Sequence, residues 1–217
     1  MKLFSVAIGE QYEKEALRLQ RSVPLDVEVL TKKSDQYKEL HQDPLINGLA
    51  HKVNFANYIK KSRGPVIFMD ADMFTLKEDP FKDFKVNKDT DVAYVIYAGN
   101  KMTFPIPEDP RQKVFDFFGY KVNSGFMYFK NRKVAQKVCT AWLEEYKERI
   151  KLYESDAPGA SKYEYDEWAL AIALMKMDLN IEILDNKWND FRTNDEYTMQ
   201  TSESVFFQSH DFLDILD

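Results

Sequence analysis

A single cysteine, Cys139, stands among the 217 residues. Alone it can form no intrachain disulfide and no cysteine-based metal cluster, which suits a reducing compartment. A basic surplus is lacking as well: 30 Lys and Arg against 36 Asp and Glu leave a net charge of −6. A nucleic-acid binder would show positive charge gathered on one face. The acidic balance still permits a phosphorylated ligand, because a bound cation can supply positive charge locally. No apolar stretch approaches the roughly 20 residues of a membrane-spanning helix. The run from Leu3 to Ile8 at the N-terminus is too short for a signal peptide. Repeats, low-complexity tracts and long linkers are missing too. The expectation is a cytoplasmic protein without nucleic-acid partners or a membrane span, its oligomeric state unreadable.

What is present is an ordinary globular composition, 44% hydrophobic and 30% charged, which argues against wholesale disorder. The length fits one α/β domain. The apolar run at residues 3–8 reads as a first, central strand. Residues 10–22 carry Tyr12, Ala16, Leu17 and Leu19 at helical spacing. Val27-Glu28-Val29-Leu30 reads as a second strand, residues 31–47 as irregular chain, and residues 49–62 as a helix stopped by Gly64-Pro65. Val66-Ile67-Phe68-Met69 is a continuous apolar run of the kind buried in a parallel sheet. Further strands are predicted at 91–97, 123–130 and 181–184, a Pro-rich loop at 105–110, and helices at 132–152 and 164–177. A turn is predicted at Asp156-Ala157-Pro158-Gly159, and a polar tail with aromatic islands such as Val205-Phe206-Phe207. Such alternation argues for an α/β fold with a mainly parallel central sheet flanked by helices.

Asp70-Ala71-Asp72 follows the most apolar strand directly. Ligands of such sheets bind outside the carboxyl ends of the strands. Hard divalent cations prefer oxygen ligands, commonly one or two carboxylates with phosphate and water. The small Ala71 leaves room for a phosphate to approach. By itself an Asp-x-Asp triplet is a weak signal, and the plain alternative is an Asp capping the turn that leads to Leu76. Two enzyme classes use the triplet after an apolar strand. Haloacid-dehalogenase-type phosphohydrolases want Thr or Val two residues beyond the second Asp, where Phe74 stands, and place the motif after the first strand. Nucleotide-sugar transferases of the GT-A fold place a nucleotide-binding half before it, as here.

The chain resembles those GT-A (Rossmann-like) glycosyltransferases, most closely the retaining, glycogenin-like type, and in size the small transferase domains of large algal viruses. Four stretches carry the likeness, along with one late histidine. Ala7-Ile8-Gly9-Glu10-Gln11-Tyr12 is similar to the family's base-holding loop, which implies nucleotide contacts from Ala7, Ile8 and Gly9 and stacking of uracil on Tyr12. Base stacking is worth about 1–3 kcal/mol; otherwise Tyr12 packs on the helix it opens. Lys52 matches a basic residue that approaches the donor phosphates or the Asp-x-Asp. A point-charge ammonium suits a phosphate, although lysine is commonly a surface residue. Asn123-Ser124-Gly125 resembles the family's Asn-x-Gly strand, where a polar side chain faces the transferred sugar and Gly125 admits a close backbone approach; it is also an ordinary turn sequence.

Asp166 and Glu167, in Tyr165-Asp166-Glu167-Trp168, look like the acidic helix start beneath the donor sugar, and equally suit the helix dipole. His210 matches a late histidine that joins the aspartates on the metal. The Gly and Lys-Pro usual after that histidine are replaced by Asp211-Phe212, so the phosphate-gripping loop is absent or different. His41 and His51 remain unassigned.

The resemblance implies one domain over residues 1–217, with a nucleotide-binding half over about 1–100 and an acceptor-binding half over about 101–217. It shows no stem or anchor, reads as a bare catalytic domain, and lies in host cytoplasm if the source is viral. The implied enzyme transfers a sugar from UDP-sugar to a glycan or glycoprotein hydroxyl, with retention. Its cation is Mn²⁺ or Mg²⁺, held by Asp70, Asp72 and His210. Lys52 would steady the leaving charge, and Asp166 or Glu167 the sugar. Two other readings stay open: a metal-dependent phosphohydrolase with Asp70 as nucleophile, and a non-catalytic carbohydrate- or nucleotide-binding module.

Overall fold

The computed structural model describes residues 1–96, 110–155, 165–191 and 204–208. Among these, six strands form a central sheet: β1 (Lys2–Val6), β2 (Val27–Leu30), β3 (Val66–Met69), β5 (Val92–Ile96), β6 (Val122–Phe129) and β7 (Ile181–Leu184), in the order β2-β1-β3-β6-β5-β7. β1 runs parallel to β2 and β3, and β5 parallel to β7. β6 alone is reversed, antiparallel to both β3 and β5. The expected sheet is therefore mainly parallel, and its exception decides the position of the site. Because β6 points the other way, its amino end lies beside the carboxyl end of β3. A smaller sheet is made of β4 (Met73–Phe74), β9 (Phe207–Gln208) and β8 (Asp190–Phe191), in that order.

The apolar runs are continuous because both faces of the sheet are covered, and successive side chains serve opposite faces. Phe4, Val66, Phe68, Val92, Tyr94, Met127 and Phe129 enter the larger core, with Trp142 and Tyr146 among its helical members. That face is covered by α2 (Pro44–Val53), α4 (Arg132–Glu154) and α5 (Tyr165–Met175). Leu3, Ile67, Met69, Ala93, Val95 and Phe126 face the second core, which Leu19 of α1 (Glu10–Ser22), Trp188 and Phe206 complete. Every residue of β3 is wholly buried, each side chain contributing about 1.5–3 kcal/mol. Truncating Phe68 to Ala would cost about 3–5 kcal/mol.

Two boundaries differ from the sequence reading. The expected helix at 49–62 instead spans Pro44–Val53, followed by a short 3-10 turn at Phe55–Asn57. The Asp43 carboxylate accepts the Leu45 and Ile46 amides at 2.9 and 3.2 Å, and Pro44 takes the first helical position. This is a cap and a starter in adjacent residues, inside a stretch whose polarity suggested loop. Residues 110–118 form α3 (Pro110–Phe118), where the sequence reading placed no element between the Pro-rich loop at 105–110 and the strand at 123–130. The turn expected at 156–159 lies outside the described residues.

Candidate active site

The backbone places the acidic pair first. β3 ends at Met69, and the Asp70 amide donates to the Gly125 carbonyl of reversed β6 at 2.8 Å. Residues 70–73 then turn tightly, with the Met73 amide donating to the Asp70 carbonyl at 3.2 Å, before β4 begins. The Arg18 guanidinium of α1 donates to the Asp72 carbonyl at 2.9 Å and lies 4.6 Å from the Phe74 ring centre. Ala71 is buried and groups with Ala7 and Ala16. Its small side chain therefore lets α1 pack closely on the turn.

Between the aspartates and α5 stands Lys52, near the end of α2. Its Nζ lies 2.9 Å from both carboxylate oxygens of Asp70 and 2.9 Å from Asp166 Oδ2. Its ammonium thus bridges the carboxylates of Asp70 and Asp166. Burial works against the Lys52 charge, but Asp166 and Asp70 outweigh it and hold the ammonium above the usual lysine range. Burial pushes Asp70 up to about 6, with Lys52 opposing the rise and neighbouring Asp72 adding to it.

Asp166 lies in the first turn of α5 and is 5% exposed. Ser124 Oγ donates to its Oδ2 at 3.1 Å, and the Trp142 indole donates to its backbone carbonyl at 2.5 Å. Next to it, Glu167 pairs with Lys121 at 3.1 Å. Burial first, then Asp166, pushes Glu167 up to about 7 against the pull of Lys121 and Lys52.

The Asn123-Ser124-Gly125 stretch sits where β6 loses register with β5: Tyr94 pairs with Met127, but the next residue, Val95, pairs with Asn123. Such an irregularity re-aims side chains beside active sites. Asn123 and Ser124 are both buried. Asn123 Oδ1 accepts the Gly125 amide and the Asn189 Nδ2, each at 2.7 Å. These side chains are turned into the protein, whereas the sequence reading expected one to face the sugar. Gly125 stands in a crowded place: a Cβ there would lie 2.5 Å from Asn189 Nδ2 and 2.7 Å from Gln208 Oε1.

At the end of β1, the Ala7 and Ile8 side chains are buried in the core, leaving their backbone as the part available to a ligand. Gly9 has φ 121°, the left-handed region that favours glycine, and turns the chain into α1. Tyr12 opens that helix with 37% of its surface exposed. Burial, then Glu15, Asp72 and Asp70, raise its phenol above the usual range, so the ring lies within the field of the acidic pair.

Gln208 was missed in the sequence. Its Nε2 lies 3.2 Å from Asp70 Oδ2, and 3.3 and 3.2 Å from Asp72 Oδ1 and Oδ2. β9 carries it there, pairing Gln208 with Met73 of β4 and Phe191 of β8. Arg18, Asn189 and Lys121 also escaped notice. A strand of two residues, or one arginine in an amphipathic helix, gives little signal. His210 lies outside the described residues.

Three carboxylate oxygens converging on one donor make a point at which hard oxygen ligands meet, which fits Mg²⁺ or Mn²⁺. Among the described residues no group of three His, Cys, Asp or Glu forms a ready-made cage. Two carboxylates suffice where phosphate and water complete the shell.

A sequence model of the family described as nucleotide-diphospho-sugar transferase matches residues 14–210. No curated protein matches the chain in sequence. Among solved structures, the galactosyltransferase LgtC with donor and acceptor sugar analogues superposes with a TM-score of 0.56 at 13% identity, covering 96% of this chain and 86% of that one. An active-site mutant of LgtC gives 0.56 at 12% identity with the same coverage. Apo mouse xyloside xylosyltransferase 1 gives 0.48 at 10%, covering 96% and 97%. The LgtC matches share this chain's fold, a GT-A sheet. Among the described residues no helix is long and apolar enough to cross a membrane. With the family match extending over most of its length, the chain belongs to the nucleotide-diphospho-sugar transferases and is a glycosyltransferase.

Proposed function

We propose that this transferase is metal-dependent, uses a UDP-sugar, and passes the sugar with retention to a hydroxyl of a glycan or glycoprotein. The observation that carries the reading is the convergence of the Asp70 and Asp72 carboxylates within 3.3 Å of one point, at the edge where β3 ends and β6 begins. Asp70 and Asp72 would hold Mn²⁺ or Mg²⁺, with His210 as a further ligand. Such a cation neutralises the leaving diphosphate as a Lewis acid.

The remaining roles belong to the chain itself. Tyr12 offers an exposed ring to stack on the base, beside the backbone of Ala7, Ile8 and Gly9. Lys52 holds Asp70 and Asp166 in fixed relation and adds preorganised positive charge beside the phosphates. Asn123 and Ser124 act indirectly, by fixing Gly125 and Asp166. Asp166 orients the sugar: its Oδ2 is held by Lys52 and Ser124, which fixes the carboxylate in place and favours retention over a general-base inversion, where it would have to reach an acceptor hydroxyl. Glu167 supports the same face. The first half of the chain contributes Lys52, Asp70 and Asp72, and the second the sugar-facing Gly125, Asp166 and Glu167.

Calorimetric titration of UDP with Mn²⁺ and with chelator tests the reading. Binding should require Mn²⁺ and vanish in Asp72→Ala; metal-independent binding that survives the substitution would refute it. The anomeric configuration of the product, read by NMR, tests retention.

A further inference from the structure

We propose that Gln208 is itself a cation ligand: its Oε1 binds the metal held by Asp70 and Asp72, and its Nε2 stands in for that metal when none is bound. This rests on the metal-dependent reading above. The Nε2 amide carries two hydrogens, yet three carboxylate oxygens lie within 3.2–3.3 Å of it. The positive end of the amide dipole thus occupies the point where the carboxylates converge, which is where a cation would sit.

The other end of the amide is poorly placed in this state. Gln208 Oε1 is buried with no hydrogen-bond partner among the described residues. An acceptor left so costs about 1–3 kcal/mol. It is pressed against Gly125, where Asn189 Nδ2 and Asn123 Oδ1 also converge. Asn189 Oδ1, close by, is likewise buried without a partner among the described residues. Turning the terminal amide about its last bond exchanges Oε1 and Nε2. The inner side then offers a donor to a neighbourhood that holds Asn123 Oδ1 and the unpartnered Asn189 Oδ1 beside the donor Asn189 Nδ2. The outer side presents an oxygen to two carboxylates, an arrangement that repels unless a cation lies between them. The two amide orientations therefore suit the metal-free and metal-bound states respectively.

The backbone makes this placement deliberate. Gln208 is pinned between β4, which leaves the Asp72 turn, and β8, which follows Asn189. A glutamine oxygen with two carboxylates is an all-oxygen donor set, which favours Mg²⁺ and Mn²⁺ over softer ions.

Mn²⁺ binding to the full chain, followed by calorimetry and by the EPR signal of free Mn²⁺, tests the proposal in wild type, Gln208→Met and Gln208→Glu. Methionine keeps the length without the oxygen and should weaken Mn²⁺ at least about tenfold, the loss caused by removing even a supporting partner of a metal ligand. Glutamate keeps an oxygen without the donor and should tighten it. If the amide merely braced the aspartates as a donor, Gln208→Glu would bind more weakly than wild type. If it merely filled the site, Gln208→Met would bind as tightly or more tightly; either result overturns the proposal. Thermal melting with chelator checks that each variant folds, and should Gln208→Met fail to fold, the direction of Gln208→Glu decides alone. Wild type that binds no Mn²⁺ would overturn the metal-dependent reading itself, whereas binding lost in Asp72→Ala but unchanged in both Gln208 variants would sink this inference and leave that reading intact.

Discussion

Lys52 and Asp166 meet at 2.9 Å across the site, joining the end of α2 to the first turn of α5. The same ammonium holds Asp70, so one buried cation ties both halves of the sheet to one point. Removing it should therefore act on stability before it acts on chemistry. Lys52→Met leaves two buried carboxylates without their cation, a change worth about 3–5 kcal/mol. For a chain of this size the melting midpoint should fall by roughly 6–20 °C, at about 2–4 °C per kcal/mol. Circular dichroism melting in chelator checks this; a midpoint within about 2 °C of wild type would show that the pair contributes little net stability.

The raised carboxylates give the metal-free protein a pH signature. Asp70 is pushed up to about 6 and Glu167 to about 7, both by burial. Their folded forms bind protons more tightly than the unfolded chain does. The stability they contribute is complete below the unfolded carboxylate range and is lost as pH rises through about 6 to 7. With chelator present, the melting midpoint of wild type relative to Asp70→Asn should decline from about pH 4 to about pH 6 and level off above that, because Glu167 is common to both proteins. Mn²⁺ should act in the opposite sense, because it competes with the proton at Asp70, so its stabilisation should grow over that range. A Mn²⁺ effect independent of pH would exclude Asp70 as a ligand.

Much of this arrangement was legible because burial writes strongly into sequence. Val66-Ile67-Phe68-Met69 announced a strand covered on both faces, and the triplet after it then had to lie at the sheet edge. Lys52, Asp70, Asp72, Ser124 and Asp166 do come together there. What stayed hidden depends on contacts between distant short elements. β9 has two residues, and its pairing with β4 spans more than 130 positions, so nothing local marks Gln208. The reversal of β6 was equally hidden, because an apolar run buried on both faces reads alike in either direction. Asn123 and Ser124 read as ligand contacts through their resemblance to the family's Asn-x-Gly strand; in the structure their polar atoms bond Gly125, Asn189 and Asp166 inside the protein.

Tyr12 separates stacking from hydrogen bonding at the base. Tyr12 is 37% exposed as a residue, while its neighbours Ala7 and Ile8 are buried. Tyr12→Ala should weaken Mn²⁺-dependent UDP binding by about 1–3 kcal/mol, and Tyr12→Phe should bind nearly as wild type. Calorimetry on both variants reads the difference. An equal loss in both would assign the contribution to the phenol.

Gly125 is the place where geometry leaves least room. A methyl group there would lie 2.5 Å from Asn189 Nδ2, 2.7 Å from Gln208 Oε1 and 3.1 Å from Asn123 Oδ1. All three are side-chain atoms, so the site can yield, but Asn189 and Asn123 are bound to each other at 2.7 Å. Gln208 is the easier of the three to displace, and moving it shifts the donor now aimed at Asp70 and Asp72. Gly125→Ala should therefore cost about 1–3 kcal/mol of stability through overpacking. It should also alter Mn²⁺ affinity, while Phe126 and Met127 keep the strand paired to β3. Melting and Mn²⁺ titration of the same sample distinguish these effects: a stability loss with unchanged Mn²⁺ binding would mean that the crowding is relieved at Asn189, away from the acidic pair.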